Sequence, residues 1–312
     1  MSVLVVAEHI RGQVRDVTRE LVTAGRELGG PVAVAVIAKA PSRLAGQVNV
    51  PGVDEIVQVA VDAEEFENDV FQQAVEALVA ARQPRAVLMG FTVNSMGYGP
   101  ALAAKLGLGF ASDVFSVRDE GGSLVATRSF YGAKVQGEVE FPGKSQVLLL
   151  LRATTWAPAE GAGSASVTDF AVSVSGSRAR HREFVEAPAG DVDITTADFL
   201  LSVGRGIGDK ENLEQFEELA GTMGATLSVS RPIVDAGWMT SARQVGQSGK
   251  TVKPKVYLAL GISGAVQHLA GMKAAGTIIA VNTDPEAAIF GVAHYGAVAD
   301  LFEVAEELEK LY

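Results

Sequence analysis

Short runs of valine, leucine, isoleucine and alanine recur along the chain, most of them bounded by glycine or proline and alternating with amphipathic stretches. Val3 to Ala7 is the first such run, Val14 to Leu28 has the apolar period of a helix, and Pro31 precedes a second run, Val32 to Ile37. Strand, helix and strand at this spacing form a βαβ unit, which demands a parallel sheet with right-handed crossovers. The pattern continues through strand Glu55 to Val59, helix Glu65 to Ala81, strand Ala86 to Met89, the loop GFTVNSMGYGP and helix Ala101 to Leu106. The expected fold class is therefore α/β.

From Asp113 the style changes. Phe115 to Val117, Leu124 to Phe130, Lys134 to Glu140 and Gln146 to Leu151 are β-rich, with Glu120-Gly121-Gly122 and Pro142-Gly143 as turns. They read as an antiparallel addition that closes a first domain. Between Arg152 and Ile194 the small-residue segment APAEGAGSAS and the polar segment HREFVEAPAGDVD flank one further strand, Val167 to Val174. A linker at 186–195 then divides the chain into domains 1–190 and 191–312. The second domain starts afresh with strand Phe199 to Val203, helix Glu211 to Met223 and strand Thr226 to Val229. Strands Val256 to Leu260, Thr277 to Val281 and Gly296 to Ala299 and a helix from Leu301 complete an open, doubly wound sheet, whose ligand belongs at the carboxyl ends of its strands.

A chain of 312 residues suits two cores, and 48% hydrophobic with 20% charged residues is a globular composition. No apolar run reaches the ~18 residues of a membrane helix. MSVLVVAEHIRG has neither a basic head nor a cleavage site, so no secretory signal is expected, and a cytoplasmic home is. Zero cysteines exclude disulfides, thiolate metal sites and cysteine nucleophiles, and His9, His181 and His294 show no metal-ligand spacing. A net charge of −11 argues against nucleic acid as a partner.

The chemistry concentrates between Val229 and Ala270. There the apolar strand Val256 to Leu260 ends in Gly261-Ile262-Ser263-Gly264 before a helix from Ala265 to Met272. Unpaired N–H groups and the helix dipole make such a turn hospitable to an anion. Gln247-Ser248-Gly249-Lys250 is a second polar loop, and together the two turns suit a dinucleotide. Gly204-Arg205-Gly206-Ile207-Gly208 imitates a dinucleotide fingerprint, but Asp209 stands where its last glycine is required, so it reads as a strand-end turn.

SRPIVDAG, QVGQSGK and GISGAVQHLAGM, continuing into AVNTDPEA and VADLF, resemble the FAD-binding region of electron-transferring flavoprotein α subunits. VLVVAEH and its following helix extend the resemblance to the start of the chain. It implies an electron carrier with FAD in the second domain. The implied partners are a β subunit in a heterodimer, acyl-CoA or other dehydrogenases of the kind that serve fatty acid β-oxidation, and a flavoprotein–quinone oxidoreductase. Membrane insertion is not expected.

Carried over residue by residue, His268 would sit at the pyrimidine edge of the flavin as a donor or, better, a cation, tuning its potential. Taken alone it would be a hydrogen-bonded structural histidine. Arg231 would place its guanidinium over the ring, where a fixed cation raises the potential. Ser248 would bond flavin N5, with Gln244 and Gln247 nearby. Ser230, Gly249, Thr251, Ser263, Gly264 and Gln267 resemble ribityl and pyrophosphate positions, and Asn282 and Asp300 resemble adenosine contacts; Arg205, on the strand-end turn, is expected to approach a phosphate. Gly, Ser, Asn and Asp are also ordinary turn and cap residues. The first domain would be partner-facing, with Trp156 and Val147 to Leu151 as candidate contacts, ordinary core being the plainer reading, and the linker a hinge.

Two rivals stand beside this reading. One is an electron-bifurcating relative that oxidises NADH and reduces ferredoxin. The other is a stand-alone NAD-dependent enzyme, for which His268 is the candidate base.

Overall fold

The computed structural model describes residues 2–131, 135–184 and 192–312. They form two compact units, Met1–Glu183 and Phe184–Tyr312. The linker expected at 186–195, and the hinge assigned to it, lie mostly outside the described residues.

The first unit contains strands β1 (Val3–Val6), β2 (His9–Ile10), β3 (Gln13–Val14), β4 (Val32–Ala38), β5 (Glu55–Ala60), β6 (Ala86–Gly90), β7 (Gly109–Glu120), β8 (Ser123–Phe130), β9 (Val135–Glu140), β10 (Val147–Leu151) and β11 (Ser166–Asp169). Its helices are α1 (Asp16–Glu27), α2 (Ser42–Val48), α3 (Asn68–Arg82) and α4 (Val93–Leu106). Apart from the β2–β3 hairpin, the strands make one sheet of nine in the order β11-β5-β4-β1-β6-β10-β7-β8-β9. The pairs from β11 to β7 are parallel, and β7–β8 and β8–β9 are antiparallel. Apolar side chains pack on both faces of the parallel part, which is why its strands read as continuous runs.

Two expectations fail here. Gln146 to Leu151 is not part of the antiparallel addition, because β10 runs parallel to both β6 and β7 and lies between them. Its five residues are all buried, as an unalternating Val-Leu-Leu-Leu-Leu run requires, so this strand is core and not a contact surface. Trp156 packs against the same core and donates its indole N–H to Glu27 at 3.0 Å. GFTVNSMGYGP is not a loop but the start of α4. Thr92 and Ser95 cap it reciprocally, and Gly99 lets the helix lie close to Leu150 of β10, where a Cβ would come within 3.1 Å. Glycines that look like loop residues in sequence thus serve helix–strand packing.

The second unit is simpler. Strands β12 (Phe199–Val203), β13 (Thr226–Val229), β14 (Val256–Leu260), β15 (Thr277–Asn282) and β16 (Tyr295–Val298) form an all-parallel sheet in the order β13-β12-β14-β15-β16. Leu201, Val203, Leu258 and Leu260 face α5 (Leu213–Thr222) and α8 (Leu301–Glu309). Leu200, Tyr257, Ala259, Ile278 and Ala280 face the other way, towards Met272 of α7 (Val266–Met272). Covering both faces is what a doubly wound sheet needs. Short helix α6 (Arg231–Asp235) follows β13. The chain goes from β12 outward to β13 and then returns to β14 on the opposite side, so the strand order reverses between β12 and β14. The crevice beyond their carboxyl ends is where such sheets bind ligands.

Candidate functional site

At that reversal the turns after β12 and β14 touch. Gly204 N donates to Leu260 O at 2.9 Å and Gly206 N to Gly261 O at 3.2 Å. A Cβ on Gly206 would lie 2.8 Å from the Gly261 Cα, so this approach requires glycine. Gly204-Arg205-Gly206 is thus a strand-end turn built for close contact.

The other walls follow from the same strand ends. Ser230 is the buried N-cap position of α6 and Arg231 its first residue, directly before Pro232, which suits a first turn. The segment that follows comes back under the sheet. Val245 N donates to Val229 O at 2.9 Å, and Gln247 N donates to Gln267 O on α7 at 2.7 Å. Gln244, nearly fully buried, donates its side-chain amide to Ser248 Oγ at 3.0 Å. At the end of β15, Asn282 donates its side-chain amide to Ile262 O at 2.9 Å.

These segments enclose a cleft of about 570 Å³, within the roughly 300–1,000 Å³ range usual for cofactor sites. Arg205, Ser230, Arg231, Gln244, Gln247, Ser248, Ser263, Gln267, His268 and Asn282 all line it. Four of the expected residues do not. Asp300 caps α8 by accepting from Phe302 N at 2.7 Å. Gly249 lies against the Gln244 backbone and Gly264, at φ +84°, against the Ile289 backbone, so both glycines answer a packing need. Thr251 is exposed on the loop after Lys250, away from the lining.

The electrostatics differ from expectation in two places. The Arg231 guanidinium pairs with Asp235 at 3.2 Å, one helical turn on, with both side chains well exposed. Asp235 lines the cleft as well; the SRPIVDAG spacing placed it four residues from Arg231, and that was the available signal. An exposed pair of this kind is weak and exchanges partners readily. His268, expected as a donor or a cation, is held neutral. It is 7% exposed, its Nε2 lies 2.9 Å from the Tyr257 hydroxyl, and burial pushes its pKa from the ordinary 6.5 down to about 4. Its Nδ1 is buried and has no hydrogen-bond partner.

The residues present fit FAD. Two arginines offer charge to a pyrophosphate, glycine turns let backbone N–H groups come close, and His268 beside the cleft keeps a buried ring nitrogen, Nδ1, without a hydrogen-bond partner. Acid–base catalysis fits less well, since the cleft's titratable groups are arginines, a paired carboxylate and a neutral, hydrogen-bonded histidine. Among the described residues no cluster of His, Asp or Glu is placed to hold a metal ion, and no helix is long and apolar enough to cross a membrane. In the first unit, the corresponding start of α4 is met by an internal anion. The Glu8 carboxylate accepts from Thr92 Oγ1 at 2.8 Å and pairs with Arg15 at 3.0 Å.

Comparison with known proteins points the same way. Residues 193–273 match the electron transfer flavoprotein FAD-binding domain, and residues 3–175 match the electron transfer flavoprotein domain. The chain is 50% identical to the electron transfer flavoprotein subunit alpha of Methylophilus methylotrophus, over 99% of this chain and 98% of that one. It is 36% identical to the subunit of the same name in Syntrophomonas wolfei, over 95% and 94%. With that of Mycobacterium leprae it shares 38% identity, over 98% and 96%.

Proposed function

Because the chain belongs to the electron transfer flavoprotein α-subunit family, with FAD as its cofactor, we propose that it carries electrons from soluble dehydrogenases to a quinone-linked oxidoreductase. It does so as one half of a heterodimer with a β subunit, in the cytoplasm. Acyl-CoA dehydrogenases of fatty acid β-oxidation are the donor class this reading puts first.

One observation carries it. The cleft at the strand reversal is lined by Arg205 and Arg231, by the amide and hydroxyl groups of its turns, and by an Asp235 carboxylate already paired with Arg231. Such a site suits a group that changes oxidation state in place. When bound, FAD supplies the redox chemistry and the protein supplies orientation and electrostatics. In this reading Arg205 and the glycine turns hold the pyrophosphate. Gln244, Gln247 and Ser248 direct polar atoms towards the flavin, Asn282 lies towards the adenosine, and His268 closes the floor. Arg231 exchanges Asp235 for the ligand.

The test is anaerobic reduction of the purified heterodimer, followed by loss of flavin absorbance near 450 nm. An acyl-CoA dehydrogenase with its substrate should bleach the flavin, and a quinone-linked oxidoreductase should restore the colour. Bleaching by NADH alone, with a second flavin in the complex, would overturn this assignment in favour of the bifurcating type. A colourless chain that retains NAD would overturn it in favour of a dehydrogenase.

A further inference from the structure

The two sheets of this chain reverse their strand order in the same way. In the first unit the chain runs from β1 outward to β4 and β5 and returns to β6 on the other side of β1, so a crevice lies beyond the carboxyl ends of β1 and β6. The second unit leaves about 570 Å³ at this place. The first leaves about 20 Å³, little more than one water needs. The residues at the two reversals also carry opposite charge. Arg205 follows the end of β12 by two residues and lines its cleft, and Glu8 follows the end of β1 by two residues and lines its crevice.

Glu8 is held there as a bound anion would be. Its carboxylate, which can only accept, takes the Thr92 hydroxyl at 2.8 Å and the Arg15 guanidinium at 3.0 Å, with 12% of the side chain exposed. Thr92 is the N-cap of α4, whose first-turn N–H groups and dipole favour a negative charge. The backbone closes over the same spot. Glu8 N donates to Thr18 Oγ1 and Arg15 N to Glu8 O, both at 2.9 Å, so the β2–β3 hairpin begins and ends at this residue. Side chains fasten the hairpin from outside: Arg11 N donates to Glu65 Oε1 and Val14 N to Gln47 Oε1, each at 2.8 Å. His9, 5% exposed in the crevice wall, donates from Nε2 to Ile37 O at 2.9 Å, since a carbonyl only accepts, and its buried Nδ1 has no partner. Below, the Phe66 ring packs 4.9 Å from Phe71 and 6.0 Å from Tyr98, which fills the floor.

We propose that Glu8 is an internal plug: its carboxylate occupies the anion position at the strand reversal of the first unit and shuts that crevice to phosphate groups, which confines a phosphorylated cofactor to the second unit. The plug acts by volume and by charge. An arriving phosphate meets a like charge that has already taken up Thr92, Arg15 and the start of α4. Without the Glu8 side chain there is room for one small tetrahedral anion, and both donors lose their counter-charge. This holds whichever phosphorylated ligand the second cleft takes.

The test is hydrogen–deuterium exchange of the FAD-loaded heterodimer with and without inorganic phosphate, potassium chloride keeping the ionic strength equal. In the wild type, phosphate should leave the amides of residues 8–15 and 93–96 unchanged. In Glu8→Ala it should slow their exchange severalfold, and adding Arg15→Ala should remove most of that protection. Glu8→Ser, a smaller change in polarity, should behave as Glu8→Ala does. Exchange in β1, β6 and α1 reports whether the first unit remains folded. Folded variants that phosphate does not protect would overturn the proposal, and so would a wild type protected to the same extent. A first unit that exchanges freely in both variants would also overturn it, because the carboxylate would then hold the fold together and not close a site.

Discussion

Gly271 on α7 lies directly on Gly246 of the cleft loop: a Cβ on Gly271 would stand 2.5 Å from both the Gly246 N and Cα. Gln247 N reaches Gln267 O on the same helix at 2.7 Å, so loop and helix are joined at two points. The loop carries Gln247 and Ser248, and its height above the helix sets how far they project into the cleft. Gly271→Ala must lift it. Overpacking of this kind costs about 1–3 kcal/mol, or roughly 5- to 150-fold in FAD affinity if all of it falls on the loop. Fluorescence titration of FAD into the stripped heterodimer measures this. Affinity unchanged within a factor of two would show that the contact is not needed.

The Arg231–Asp235 pair leads to a second expectation. Asp235→Asn removes the carboxylate that holds the guanidinium and takes one negative charge from a cleft that receives an anion. FAD should bind more tightly by roughly 2- to 5-fold, the scale of an exposed pair, and Arg231→Ala should weaken it. Both effects should shrink at high salt. Titrations at two ionic strengths decide the matter, and weaker binding by Asp235→Asn would reverse the assignment.

His268 sets a pH window. Its pKa is lowered from 6.5 to about 4 in the folded chain, so folding opposes protonation that the unfolded chain accepts. Stability is therefore intact above about pH 6.5 and is lost as pH falls towards about 4, by roughly 3 kcal/mol from this residue. Urea unfolding of the FAD-free chain at pH 7 and pH 4.5 should show a shallower acid loss in His268→Gln than in wild type. Equal losses would mean that the ring is protonated in the folded state.

In the first unit, Leu149 is fully buried on β10 between two parallel neighbours. Leu149→Ala should destabilise the chain by about 2–5 kcal/mol and leave the midpoint potential of FAD unaltered. Loss of heterodimer affinity with stability unchanged would return β10 to the role of a contact surface.

Much of this architecture was legible in the sequence, because parallel strands announce themselves as apolar runs ending in glycine turns. Phe199–Val203, Thr226–Val229 and Val256–Leu260 matched to the residue. The failures have physical causes. Leu148 to Leu151 follows two antiparallel strands in sequence, and no local signal shows that the chain returns to the middle of the sheet. Val93 to Leu106 hides its first turns behind Gly97, Gly99 and Pro100, although the Thr92–Ser95 cap was there to be read. In the cleft, residue types marked the turns but not their contacts. Gly249 and Gly264 satisfy backbone packing, Asp300 a helix end, and the sequence alone does not separate these from ligand contacts. Tyr257 was passed over as one more apolar strand residue, though a phenol inside a parallel strand needs a partner. Its partner, His268, lies eleven residues further on, across a turn.

Hydrogen–deuterium exchange on the heterodimer, with FAD bound and after its removal, tests the central claim most directly. FAD in the cleft of the second unit should slow exchange around Gly204–Gly206, Gln244–Gly249, Ile262–His268 and Asn282, and should leave the amides around Glu8 and Thr92 unchanged. Protection at Glu8 and Thr92 without protection around the cleft would contradict it.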